Sequence, residues 1–197
     1  MRCLKTLVVF VSLTSSAFAG PPPRYFTNPV CRQADPWIFQ HDGKYLACFE
    51  EGNNAISVRI SDRLTVIGPT DIVWHAPVEG LASKEVWAPE LHLLHGRWCV
   101  YFAASDGQNK DHRAWVIQSA GSDSLGPYTS HGPLYTGDSP DLLSDNRWAI
   151  DMTVFELRGQ LYAVWSDWRS PTACPISDVP CRLVNPCERL LAKRFLE

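Results

Sequence analysis

The sequence predicts an all-β protein assembled from β-propeller blades, and three observations predict it. Fifteen prolines, twelve glycines and eight tryptophans in 197 residues, without a long stretch of helical periodicity, describe many short strands bounded by turns. Three segments of the chain align on a shared glycine, each with the pattern of a β-hairpin. The first two hairpins are followed by further alternating segments, which gives a repeat of four antiparallel strands every 53 to 63 residues.

The elements follow in order. The first repeat runs from Asp35-Pro36-Trp37-Ile38-Phe39 through Asp42-Gly43 into Lys44-Tyr45-Leu46-Ala47-Cys48-Phe49. Ile56 to Ile60 alternates as its third strand, and Ile72-Val73-Trp74 fits a fourth. The second repeat runs from Ala88-Pro89-Glu90-Leu91-His92 through His95-Gly96 into Arg97 to Phe102. Ala114 to Gln118 and Pro133-Leu134-Tyr135 are its third and fourth strands. The third repeat runs from Asp151-Met152-Thr153-Val154-Phe155 through Arg158-Gly159 into Gln160 to Trp165. In each repeat the glycine stands eight residues after the first position. An ordinary sandwich also has many short strands; the aligned hairpins favour the propeller. About three four-stranded blades fit into the chain.

Asp151 lies among apolar residues, where a charge is costly unless it is paired or working. Asp35 occupies the same position of its repeat, whereas the middle repeat has Ala88 there. The inner strands of a propeller face a common axis, so two aspartates at equivalent inner positions would converge on one cavity. Carboxylates brought together in that way are candidates for acid–base chemistry. The plainer alternative is that each aspartate accepts hydrogen bonds from nearby backbone amides.

The ends of the chain differ from its middle. Arg2 and Lys5, the apolar run Leu7 to Leu13 and Ala17-Phe18-Ala19 form the pattern of a secretory signal peptide over residues 1–19. Secretion to the extracellular space is therefore expected. Residues 20–168 carry the propeller pattern, and 169–197 form a divergent tail rich in cysteine and proline. The formal net charge is −3, or about −5 without the leader, and no basic run exceeds two residues. Nucleic acid and membrane are not expected partners. Six cysteines remain after the leader, and their pairing is open among fifteen connectivities. Cys48 and Cys99 lie inside apolar strands and read as small buried hydrophobes; Cys174, Cys181 and Cys187 suit disulfides better. The sequence holds no N-glycosylation sequon.

Ala34-Asp35-Pro36-Trp37-Ile38, Val86-Trp87-Ala88-Pro89-Glu90-Leu91-His92 and Ala149-Ile150-Asp151, in that order and spacing, resemble the glycoside hydrolase family 43 enzymes. Supporting stretches are Gly96 to Ala104, His112-Arg113 and Leu161 to Ser166, so the resemblance covers about residues 29 to 168. It implies a five-bladed β-propeller, of which this chain holds about three blades. It also implies hydrolysis of arabinose- or xylose-containing plant polysaccharides with inversion of configuration. Asp35 then looks like the general base that activates water. Asp151 looks like the aspartate that positions the general acid and keeps it protonated, a role in which one carboxylate opposes ionisation of another.

The family's general acid is a glutamate in a later blade, usually in a Glu-Gly-Pro-like motif, and no stretch here matches it. Glu79-Gly80 comes too early and lacks the proline, while Glu188 lies in the tail. An incomplete enzyme is one reading; a non-catalytic carbohydrate-binding remnant is the alternative. Three blades left open also predict a chain that aggregates or assembles with another.

Sugar rings present an apolar face that stacks on indole, and Trp37, Trp87 and Trp165 adjoin the motifs. Packing between blades is the competing role for each. Glu90 is a candidate for a sugar hydroxyl, or for a structural ion pair. His112-Arg113 matches a family feature, although a solvated loop explains either residue alone. No metal-binding motif appears and no cofactor is expected, apart from a cation that family members often hold near the axis. Neither a Gly-x-Ser-x-Gly elbow nor a phosphate-binding glycine loop is present.

Overall fold

A computed structural model describes residues 28–137 and 146–167, and they form ten β-strands with one short 3-10 turn at Asn109–Asp111. The leader and the 169–197 tail, with their four cysteines, lie outside the described residues. Strands β1 (Trp37–His41), β2 (Lys44–Glu51), β3 (Ala55–Ser61) and β4 (Asp71–His75) make one antiparallel sheet in sequential order. Strands β5 (Lys84–Leu94), β6 (Arg97–Ser105), β7 (Arg113–Ser119) and β8 (Tyr128–Pro133) make a second sheet in the same way. Strands β9 (Ala149–Leu157) and β10 (Gln160–Asp167) form a two-stranded sheet. Two full blades and the first half of a third are therefore present among the described residues, an all-β partial propeller.

Each hairpin turn has the predicted chemistry. His41 pairs with Lys44, Leu94 with Arg97 and Leu157 with Gln160, so each loop has only two residues. Both loop residues have positive φ in every case: 47° and 73° at Asp42-Gly43, 50° and 77° at His95-Gly96, 54° and 76° at Arg158-Gly159. A type I′ turn needs this conformation at both positions, and glycine supplies the second without strain.

The fourth strand of the second blade is displaced from its expected place. It spans Tyr128–Pro133 rather than beginning at Pro133, and Leu134 adds one further backbone bond to Ala114 at 2.8 Å. As an outer strand it has much of both faces open to solvent, so Thr129-Ser130-His131-Gly132 shows no alternation that sequence reading detects.

Two apolar clusters join the blades. Between the first and second sheets, Leu46, Cys48, Ile56 and Val58 pack with Val86, Leu91, Trp98, Val100 and Phe102. Between the second and third, Cys99, Tyr101, Ala114 and Val116 pack with Met152, Val154, Leu161 and Trp165. Burying each large apolar side chain contributes about 1.5–3 kcal/mol, so these clusters fix how the sheets stack. Trp98 also crosses the first interface, edge-on to Phe39 at 5.4 Å and to His41 at 5.2 Å. Cys48 and Cys99 are buried free thiols, as their apolar settings suggested. The first strands of successive sheets lie against one another, β1 on β5 and β5 on β9, which brings the aligned repeat positions together.

Candidate active site

A shared backbone device marks the aligned first positions. Asp35, Ala88 and Asp151 all have left-handed backbone, with φ of 45°, 44° and 52°. Aspartate tolerates that region better than most residues, whereas alanine there is uncommon. In β9 the ladder pairs Thr153 with Val164 and Ile150 with Ser166, so Asp151-Met152 bulges opposite the single residue Trp165. In β5, Glu90 pairs with Tyr101 and Trp87 with Ala103, so Ala88-Pro89 bulges opposite Phe102. Asp35-Pro36 immediately precedes the Trp37–Cys48 pair, which keeps the same offset from the ladder. Such bulges re-aim a side chain out of the regular alternation.

Asp35 and Asp151 are both open to solvent. Partial burial holds the Asp151 carboxyl above its usual range, and the charges of Asp35 and Glu90 add to the effect. The three carboxylates therefore share one electrostatic site built from the inner edges of three sheets. Glu90 is fixed by its neighbour two residues on: His92 Nε2 lies 3.2 Å from Glu90 Oε2. The His92 ring is held between Trp37 at 4.9 Å and Tyr101 at 5.7 Å.

The three tryptophans fare differently. Trp37 is tied across the blade interface, its Nε1 donating to Leu91 O at 2.7 Å, and it packs on the first apolar cluster. Trp87 stacks on His112 at 3.9 Å with 28° between the rings and is partly exposed. Trp165 is core: at 4% exposure within the second cluster it offers no face to a sugar. The expectation that it lines the site is corrected, because the bulge puts it opposite Asp151 with its side chain packed between sheets.

His112 is also corrected, since it is fully buried rather than a solvated loop residue. Its Nδ1 lies 3.0 Å from Asn109 O and its Nε2 lies 3.2 Å from Glu85 O. Glu85, absent from the expected site, has a left-handed backbone of its own, with φ of 51°. No sequence pattern distinguishes it. Among the described residues, no group of three or more His, Cys, Asp or Glu side chains is arranged to hold a metal ion.

Antiparallel sheets whose inner strands repeat one bulged position, with carboxylates at two of three such positions, define a β-propeller with an acidic site at its inner strands. The chain belongs to the glycosyl hydrolases family 43, whose pattern it matches over residues 26–190. It is 32% identical over 157 residues to an extracellular exo-α-(1→5)-L-arabinofuranosidase of Streptomyces chartreusis, covering 76% of this chain and 46% of that protein. It is 30% identical over 172 residues to α-L-arabinofuranosidase 43 of Humicola insolens, covering 80% of this chain and 34% of that protein. The crystal structure of an α-L-arabinofuranosidase from Lactobacillus brevis superposes with a TM-score of 0.66 at 31% identity, over 76% of this chain and 48% of the other. The chain spans about a third to a half of the length of these relatives.

Proposed function

We propose that the chain carries the water-activating part of a secreted, inverting glycosidase acting on arabinose- or xylose-containing plant polysaccharides. The observation that supports this reading is the pair of aspartates at equivalent left-handed positions of the inner strands. Partial burial, with the charges of Asp35 and Glu90, opposes ionisation of Asp151, a perturbation of the kind that marks functional carboxylates. Asp35 takes a proton from water, and the water oxygen bonds to the anomeric carbon as the bond to the leaving oxygen breaks. Inversion needs room for that water, with base and acid about 6.5–9.5 Å apart. Asp151 acts on the acid rather than on the sugar oxygen. Trp87 offers its indole, and Glu90 its carboxylate, to the sugar. The leader over residues 1–19 supports export.

The second reading is a protein that binds the sugar without cutting it. Leaving groups that depart without protonation separate the two. With Asp35 as base, the chain hydrolyses 2,4-dinitrophenyl α-L-arabinofuranoside or β-D-xyloside, and Asp35→Asn lowers the rate ~10²–10⁴-fold. NMR of the first-formed sugar shows the inverted anomer. Full activity in Asp35→Asn would sink the assignment. Binding of the glycoside without release of dinitrophenol establishes the second reading.

A further inference from the structure

Glu85 and His112 are not used by the reaction above, yet they form a built feature. Strand β5 contains two bulges in succession, the second at Ala88-Pro89 and the first at Glu85-Val86, between the Lys84–Ser105 and Trp87–Ala103 pairs. A glutamate in left-handed backbone is strained, and here the bulge brings both its carbonyl and its carboxylate to one ring. His112 Nε2 lies 3.2 Å from Glu85 O and 3.8 Å from Glu85 Oε2. The carboxylate is held in place: Ser105 Oγ donates to the same Oε2 at 2.5 Å, and Gly107 N donates to Ser105 Oγ at 2.9 Å.

The other ring nitrogen also meets a carbonyl. His112 Nδ1 lies 3.0 Å from Asn109 O, an oxygen that already accepts from Trp148 Nε1 at 2.8 Å and from the His112 backbone N at 3.2 Å. A neutral imidazole has one N–H and one bare nitrogen, and the bare nitrogen needs a donor. Carbonyl oxygens donate nothing, so a neutral ring turns a lone pair against one of them. The ring is fully buried, which leaves it no solvent-facing edge. An imidazolium donates from both nitrogens and satisfies both contacts, and the Glu85 carboxylate balances its charge.

Other charged groups on the surrounding elements are engaged elsewhere. The Lys84 stem of β5 lies against Gly107. Arg113 of β7 donates to the carbonyls of Lys110 and His112, and Lys110 itself is exposed. Asp106 accepts from Gln108 N, and Asp111 is half-buried in the 3-10 turn. Asp151 of β9 feels Asp35 and Glu90. Among the described residues, Glu85 is the one carboxylate within 4 Å of a His112 ring nitrogen. Glu85 also lines a cleft of about 660 Å³ with Asn53, Asn54 and Lys84, between the first and second blades. Water in that cleft reaches one side of the carboxylate while the ring stays dry, which lowers the cost of placing a charge pair here.

We propose that Glu85 holds His112 as an imidazolium and that this pair positions Trp87 beside the inner strands. The indole stacks on the ring with centroids 3.9 Å apart, within the reach of a cation–π attraction. Trp87 directly precedes the left-handed Ala88, so a fixed indole also fixes the entry to the second bulge. His112 and Glu85 are then positioning residues, acting on the site through Trp87. The proposal rests on the glycosidase reading only for what Trp87 touches.

The test is NMR of the full chain with 15N-labelled histidine, in spectra that resolve the two ring nitrogens, recorded from pH 5 to pH 9. At pH 7 both His112 nitrogens are expected in the protonated form. The Trp87 indole N–H resonance is expected to move with the same midpoint as the ring when the second proton leaves. Glu85→Gln keeps the length of the side chain and an oxygen for Ser105 but removes the charge, so it shifts both midpoints together toward lower pH. One bare nitrogen on His112 at pH 7 in the unmodified chain overturns the imidazolium, and this reading needs no variant. An unmoved His112 midpoint in folded Glu85→Gln overturns Glu85 as the counter-charge. A Trp87 resonance that ignores the His112 titration overturns the positioning role. None of these measurements uses a sugar, so they stand or fall separately from hydrolysis of the dinitrophenyl glycosides.

Discussion

Replacing Ala88 by glycine reverses the usual sign of that substitution. Glycine in a strand normally destabilises by roughly 0.5–1 kcal/mol, because the unfolded chain gains freedom. At Ala88 the backbone φ of 44° puts Cβ against the following carbonyl, a strain of roughly 1–2 kcal/mol that glycine removes. The residue is only half-buried, so losing its methyl costs less than the ~0.8 kcal/mol of a fully buried one. The terms nearly cancel, leaving Ala88→Gly between neutral and about 1 kcal/mol more stable. Ala103 is the control: it pairs with Trp87 in the adjacent strand, is 1% exposed and has ordinary backbone. There both terms point the same way, and Ala103→Gly loses about 1–2 kcal/mol. Urea unfolding followed by tryptophan fluorescence gives both values from midpoint and slope. If Ala88→Gly destabilises as much as Ala103→Gly, the left-handed bulge is not the feature that defines this position.

Two more outcomes follow. The Asp151 carboxyl sits above its ordinary value of 3.8, so the folded state holds this proton more tightly than the unfolded one. The resulting stability is present below that ordinary value and is lost as pH rises through the folded value. Asp151→Asn should therefore raise the melting temperature at pH 7 and leave it nearly unchanged near pH 3; a shift of opposite sign at pH 7 would contradict the carboxylate coupling. Burial pushes the Cys99 thiol up to about 11 and raises Cys48 further, so neither forms thiolate in the native state at pH 8. Ellman's reagent should reach these two only after denaturant is added, and prompt labelling of both without denaturant would show that the interblade clusters open.

Much of the fold was legible because its signals are local. Asp42-Gly43, His95-Gly96 and Arg158-Gly159 announce type I′ turns through residue chemistry alone, and the strands on either side carry buried residues that are apolar in sequence. The matching of Asp35 with Asp151 was legible for the same reason, since the shared glycine fixed the alignment. The rest depended on distance in sequence. Whether Trp165 faces a cavity or a core is decided by a bulge on the partner strand, which no residue type advertises. His112 is buried by Trp87 and the Glu85 carbonyl of β5, more than 20 residues away in sequence, and by the carbonyl of Asn109. The cleft beside Glu85 is likewise assembled from turns and strand ends far apart in the chain, so no linear pattern marks it.

Stability and chemistry occupy opposite ends of the same hairpins. At the turn end, two-residue loops fix the register; along the strands, Leu91 and Val154 are buried in the clusters between sheets. At the other end, the ladder is interrupted, the backbone is left-handed and the side chains at Asp35 and Asp151 are open to water. A strained position persists when the surrounding structure over-determines it, and here paired residues flank both bulges while the clusters hold the sheets. The side chain at the first position is thereby released from packing, which is why aspartate, alanine and aspartate all occupy it in one fold. An aspartate there places a carboxylate beside the next blade at little further backbone cost. Ala88→Asp should accordingly fold, and a third carboxylate among Asp35, Glu90 and Asp151 should oppose ionisation of Asp151 still more strongly. An NMR titration of the Asp151 carboxyl carbon that stays unmoved by Ala88→Asp would mean that the three inner positions do not face one another.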